Sequence, residues 1–86
     1  MPKVVMYATS WCPYCERARA LLGRKNVAFE EIDIDVQPNA RTEMIKLSGR
    51  TSVPQIFIGE THVGGSDDLH ALEAAGRLDP LLNQGT

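Results

Sequence analysis

Both cysteines of this 86-residue chain fall within four consecutive residues, Cys12-Pro13-Tyr14-Cys15. A disulfide between them closes almost no loop, so it constrains little chain entropy. No covalent staple can join distant segments, as it does in small secreted scaffolds. The fold must therefore rest on its core, and a hydrophobic content of 43% is enough to build one. The length suits one compact domain over residues 1–86, not two.

Apolar spacing lays out the elements around that stretch. Val4-Val5-Met6-Tyr7 reads as a buried strand, with Met6 and later Met44 as core residues. Pro13 to Lys25 reads as a helix, because Cys15, Ala18, Leu21 and Leu22 recur at three-to-four spacing. Val27 to Ile34 alternates in part and reads as a second strand, with Asp33 and Asp35 at its end. Pro38 to Leu47 reads as a second helix, with Ala40, Met44 and Leu47 on one face and Gly49 just past its end. Val53 to Ile58 is rich in β-formers. Gly59-Glu60 suits a two-residue hairpin turn, and Thr61-His62-Val63 is the return strand.

Gly64-Gly65 breaks that strand. Ser66-Asp67-Asp68 then starts a helix buried through Leu69, Leu72 and Ala75, which Gly76 ends. Asp79-Pro80 opens a last short helix through Leu82. The order β-α-β-α-β-β-α predicts an α/β fold, one mixed four-stranded sheet flanked by helices. It contains a parallel pair and an antiparallel hairpin.

Charge excludes several function classes. Lys and Arg number 9 against 11 Asp and Glu, a net charge of -2. No basic surplus points to nucleic acid, and no basic amphipathic stretch points to a membrane. No apolar run approaches the ~20 residues of a membrane span. Met1 to Tyr7 lacks the long apolar region and small-residue cleavage site of a signal peptide, so a cytoplasmic protein is expected.

The cysteine spacing carries chemistry through helix-end physics. With Cys12 at the N-cap, Pro13 takes the first helical position, where its missing N–H costs nothing. The free N–H groups of Tyr14 and Cys15 then point toward the Cys12 sulfur, and the positive helix end favours an anion there. Both effects favour the thiolate, which is the form that attacks disulfides. Cys15, one turn inward, is the more buried thiol and can attack a mixed disulfide at Cys12. Cys12 is thus the expected nucleophile and Cys15 the resolving thiol, with Arg17 and Arg19 adding positive potential nearby. The competing reading is half of a zinc site. Zinc takes four ligands, no second cysteine pair exists, and His62 and His70 lack supporting spacing; both read as exposed.

Three separated motifs give the chain a resemblance to the glutaredoxin family of dithiol type, covering nearly its whole length. They are Cys12-Pro13-Tyr14-Cys15, Thr51-Ser52-Val53-Pro54-Gln55-Ile56-Phe57-Ile58 and Gly64-Gly65-Ser66-Asp67-Asp68-Leu69. The chain is most similar to the short bacterial members. The resemblance implies a thioredoxin fold, a cis peptide between Val53 and Pro54, and glutathione as electron donor. It implies glutathione contacts at Tyr14, Arg41, Ser52, Val53, Pro54, Gly65, Ser66 and Asp67. In that scheme the Val53 backbone pairs with the cysteinyl part, Ser66 and Asp67 hold the γ-glutamyl part, and Arg41 meets the glycine carboxylate. Asp68 is expected to support the helix dipole rather than touch the ligand, and Trp11 to sit at the cleft rim.

Two departures from the family pattern stand out. Thr9 occupies the position where members commonly carry a lysine, and Ser66 one where some close relatives carry a further cysteine. The implied reaction reduces glutathione mixed disulfides and protein disulfides, needs no metal or prosthetic group, and suits a monomer. Its partners are glutathione and disulfide-containing or glutathionylated proteins. Two rivals differ in donor or class. One is a disulfide reductase fed by thioredoxin reductase; the other is an iron–sulfur carrier in which two chains share a cluster through Cys12 and glutathione.

Overall fold

Residues 2–83 are described by the computed structural model. The elements run β1 (Val4–Ala8), α1 (Pro13–Arg24), β2 (Glu30–Asp33), α2 (Ala40–Ser48), β3 (Gln55–Ile58), β4 (Thr61–Gly64), α3 (Ser66–Ala74) and α4 (Leu78–Leu82). The strand order is β2-β1-β3-β4. β1 pairs parallel with β2 and antiparallel with β3, and β3 and β4 form the expected hairpin, with Ile58 opposite Thr61. Gly59 turns that hairpin with φ +60°, a backbone region glycine enters without steric penalty.

Alternation along β1 divides the core into two layers. Val4, Met6 and Ala8 face α1, α3 and α4, and pack with Leu21, Leu22, Ile56, Leu69 and Leu78. Tyr7 faces the other way, toward Ile34, Ala40 and Met44. The four apolar positions read on the first helix, Cys15, Ala18, Leu21 and Leu22, are the buried ones. Burying a leucine side chain such as Leu22 contributes roughly 1.5–3 kcal/mol. Met6 and Met44 are both fully buried.

Several boundaries differ from the sequence expectation, each for a local reason. The second strand is shorter than Val27 to Ile34. Asn26 adopts φ +57° and the Val27 N–H returns to the Leu22 carbonyl at 3.1 Å, so Val27 and Phe29 enter the core before pairing begins. The second helix starts at Ala40 rather than Pro38, because Asn39 sits at φ +67°. Gly49 ends it in the left-handed region, as read. Leu47 was placed on the buried face but is 55% exposed, because α2 covers only part of its side of the sheet. In α3 Leu69 and Ser66 are buried; Leu72 is half-buried and Ala75 is exposed at the cap. The last helix opens at Leu78, one residue before Asp79. Among the described residues, no helix is long and apolar enough to cross a membrane.

Candidate active site

The first loop ends at Cys12, whose extended backbone (φ -88°, ψ 121°) is the N-cap of α1, with Pro13 following inside the first turn. Pro13 pre-sets a helical φ where no hydrogen bond is lost. Both cysteines are free thiols. Cys15 is 0% exposed and Cys12 5%, so the order of burial is the one expected. Burial pushes the Cys15 thiol up to about 11, and the neighbouring Cys12 adds to that shift, while the Thr9 backbone and the Arg19 guanidinium oppose it. No hydrogen bond runs from the helix start to the Cys12 side chain. Its thiol is turned to the Val53 carbonyl oxygen at 3.9 Å, since a neutral S–H is a better donor than acceptor.

Val53 precedes Pro54 through a cis peptide bond, as the family resemblance implied. Behind it lies the start of α3. Gly64 has φ +113°, and a Cβ there would collide with the Asp68 carboxylate. That close approach lets Asp68 Oδ2 accept the Gly65 N–H at 2.9 Å while Arg50 Nη1 donates to the same oxygen at 3.1 Å. The Gly65 N–H foremost, and Arg50 after it, hold the Asp68 carboxyl below its ordinary value. Asp68 thus does more than support the dipole: it closes the helix start.

A cavity of about 240 Å³ joins these parts. Tyr14, Ser52, Val53, Pro54, Gly65, Ser66 and Asp67 line it, seven of the eight positions the resemblance implied for glutathione; Arg50 and Asp68 complete the wall. Arg41 is not in that wall; it is exposed and donates to Asp35 Oδ1 at 3.3 Å. Asp35 also accepts from Trp11 Nε1 at 2.9 Å; Trp11 is itself 70% exposed and lies outside the cavity wall. A larger hollow of about 390 Å³ lies over the other sheet face, beside Val5, Leu47 and Phe57. Neither cysteine lines it, whereas Val53 in the wall of the smaller cavity accepts from the Cys12 thiol, which makes the smaller cavity the candidate site.

Sequence reasoning missed Arg50, which has no periodic or motif signal between Gly49 and Thr51. It also misplaced the two histidines. His62 is half-buried, 2.7 Å from Gln55 Oε1 through Nε2, and stacks on Phe57. His70 is half-buried as well, with Nδ1 at 2.8 Å from the Ser66 carbonyl oxygen. Thr9 is buried and its hydroxyl has no partner; its carbonyl accepts from Arg19 Nη2 at 2.9 Å, and Arg19 grips Glu31 with two bonds. Its side chain points into the fold. Among the described residues, no group of three or more His, Cys, Asp or Glu side chains is arranged to hold a metal ion.

Comparison with known proteins agrees with this geometry. A family model described as glutaredoxin matches residues 4–63. A Pseudomonas aeruginosa protein named glutaredoxin is 63% identical over 83 residues, spanning 96% of this chain and 99% of its own. Glutaredoxin 3 of Escherichia coli is 58% identical over 82 residues, spanning 95% and 99%. The solution structure of a Brucella melitensis glutaredoxin matches the fold with a TM-score of 0.86 at 55% identity, covering 100% of this chain and 94% of its own. A buckwheat glutaredoxin–glutathione complex matches with a TM-score of 0.89 at 26% identity, covering 96% and 78%. Two thiols at a helix start are built to exchange disulfides, and with matches of this extent in sequence and fold the conclusion is that the chain belongs to the glutaredoxin family of thiol–disulfide oxidoreductases.

Proposed function

We propose that the chain reduces glutathione mixed disulfides and protein disulfides, with glutathione as its electron donor. The observation that carries this reading is the cavity that runs from Tyr14 and Val53, beside Cys12, to Ser66 and Asp67 at the start of α3. Its two ends suit the two ends of a γ-glutamyl tripeptide. The Val53 backbone offers strand-like pairing to the cysteinyl part, and the α3 start offers N–H groups to a carboxylate. The exposed Asp67 carboxylate can meet the ligand's ammonium group. Arg50, one wall of the cavity, joins the candidate contacts; Arg41 would have to leave Asp35 to serve.

On a glutathione mixed disulfide, the Cys12 thiolate attacks the glutathione sulfur, and the substrate sulfur leaves as a thiolate and takes a proton. A second glutathione attacks the Cys12–glutathione bond, which releases oxidised glutathione and restores Cys12. On a protein disulfide, Cys12 forms the mixed disulfide and Cys15 attacks it, closing Cys12–Cys15 and freeing the substrate as a dithiol. Two glutathiones then reduce that bridge. No metal or tightly bound cofactor takes part. The whole chain acts as one domain, as a monomer, in the cytoplasm.

The test is a coupled assay with a glutathionylated peptide, glutathione, NADPH and glutathione reductase. NADPH oxidation that saturates with the peptide is expected. Turnover with thioredoxin reductase but none with glutathione would sink the proposal.

A further inference from the structure

Gln55 is wholly buried although it carries an amide, and a buried amide is tolerated only when its donors and acceptor are paired. Antiparallel pairing sets it opposite Tyr7, on the sheet face it shares with Phe57. Its Nε2 donates to the Ser52 carbonyl oxygen at 3.0 Å and lies 3.3 Å from the Ser52 hydroxyl. Its Oε1 can only accept, so His62 must donate to it from Nε2 across 2.7 Å. His62 itself is fixed by its ring on Phe57, centroids 4.9 Å apart with 30° between the planes. One continuous chain of hydrogen bonds therefore runs from the edge strand β4 through the sheet to Ser52.

Ser52, Val53 and Pro54 belong to no helix or strand, yet they form the cavity wall nearest Cys12. Their shape needs an outside support, and Gln55 supplies it from behind. Were the amide turned over, Oε1 would face the Ser52 carbonyl oxygen, acceptor against acceptor. That clash opposes the reversal, and a His62 ring protonated on Nε2 adds to the bias, because a turned amide would set its NH2 against the Nε2–H. We propose that His62, acting through Gln55, is a positioning residue that holds the Ser52–Pro54 wall ready for substrate. This rests on the reading that the cavity takes the glutathionyl group. His62 touches no sulfur, so its part is in binding, with the exchange step left to Cys12.

Steady-state kinetics on a glutathionylated peptide tests this with wild type, His62→Phe, His62→Gln and Gln55→Met. His62→Phe keeps a ring on Phe57 and removes the donor; His62→Gln returns an N–H at similar reach. In His62→Phe, KM should rise about threefold to tenfold, the loss expected of one hydrogen bond, with kcat within about twofold. His62→Gln should return KM toward wild type, and Gln55→Met should show the same split as His62→Phe. Backbone amide NMR signals of Ser52 and Val53 should move in His62→Phe and recover in His62→Gln. A wild-type KM in a folded His62→Phe or Gln55→Met overturns the proposal. So does a loss of thermal stability with unmoved Ser52 and Val53 signals. Asp67→Ala separates this from the parent reading: if it raises KM while His62→Phe does not, only the positioning role fails. If wild type shows no saturation with the peptide yet reduces a glutathione-free disulfide, the glutathione reading has failed.

Discussion

Two helices start at the same cavity, and their starts are built differently. α1 opens at Cys12 with no side-chain capping bond, so its free N–H groups and positive end are left to the sulfur. α3 opens at Gly65, whose N–H is already taken by Asp68, with Arg50 on the same carboxylate oxygen. The contrast follows from what each end must do. The charge on the Cys12 sulfur comes and goes as disulfides form and break, and a permanent capping anion beside it would repel the thiolate. On the proposed reading the α3 start faces a ligand whose charge is fixed, so one donor can be closed off to hold the backbone still.

The largest effects come from the α1 side. Cys12→Ser replaces the proposed nucleophile with a hydroxyl that stays protonated, so reduction of both substrate types should fall by about a thousandfold or more. Cys15→Ser should leave release of glutathione from mixed disulfides within about threefold and abolish the dithiol route. Loss of both in Cys15→Ser would reverse the roles assigned to the two sulfurs. Burial holds the Cys15 thiol up at about 11, so at neutral pH it is overwhelmingly protonated. In single-turnover experiments, its displacement of glutathione from Cys12 should therefore quicken between about pH 6 and 9, by up to about tenfold per unit. A flat profile would mean that the environment of Cys15 changes once Cys12 is in a mixed disulfide.

On the α3 side the two adjacent glycines are not equivalent. Gly64 has φ +113° and no room for a Cβ against Asp68, whereas a Cβ on Gly65 would meet the Pro54 carbonyl oxygen at an ordinary 3.5 Å. Gly64→Ala should destabilise the fold by about 2–3 kcal/mol, through backbone strain and loss of the cap. Gly65→Ala should cost less than about 1 kcal/mol. Urea titrations of both variants decide it; equal losses would show that the α3 cap does not depend on the shape of the backbone before it.

The difference between the two helix starts was only half legible in the sequence. The α1 start could be read because its signals are local: a proline after a cysteine, then apolar spacing that put Cys15 on the buried face. The β3–β4 hairpin and Gly49 were legible for the same reason. Asp68 read as a dipole residue because its link to Arg50 spans 18 positions and depends on the positive φ of Gly64, which no spacing rule encodes. His62 and His70 looked exposed because alternation and helix periodicity place a side chain on a face without saying what covers it. Leu47 failed in the opposite sense, since its helix face was right but α2 does not extend over the whole sheet. Arg41 came from the family pattern, and here Asp35 engages it outside the cavity wall.

The smallest expected effect isolates the charge in the α3 cap. Asp68→Asn keeps an oxygen to accept the Gly65 N–H but removes the negative charge felt by Arg50 and the helix end, a loss of about 0.5 kcal/mol at an exposed site. The sign of its pH dependence is set by the lowered Asp68 value. A carboxyl that ionises more readily folded than unfolded stabilises the fold fully above its unfolded value, near pH 4, and loses that contribution as pH falls through the folded value. Thermal midpoints of wild type and Asp68→Asn should therefore differ by a constant amount from about pH 7 down to pH 5, then converge below about pH 4. A gap that persists undiminished to pH 2.5 or so would show that the cap acts through shape alone, and the contrast with the charge-accepting start of α1 would lose its electrostatic half.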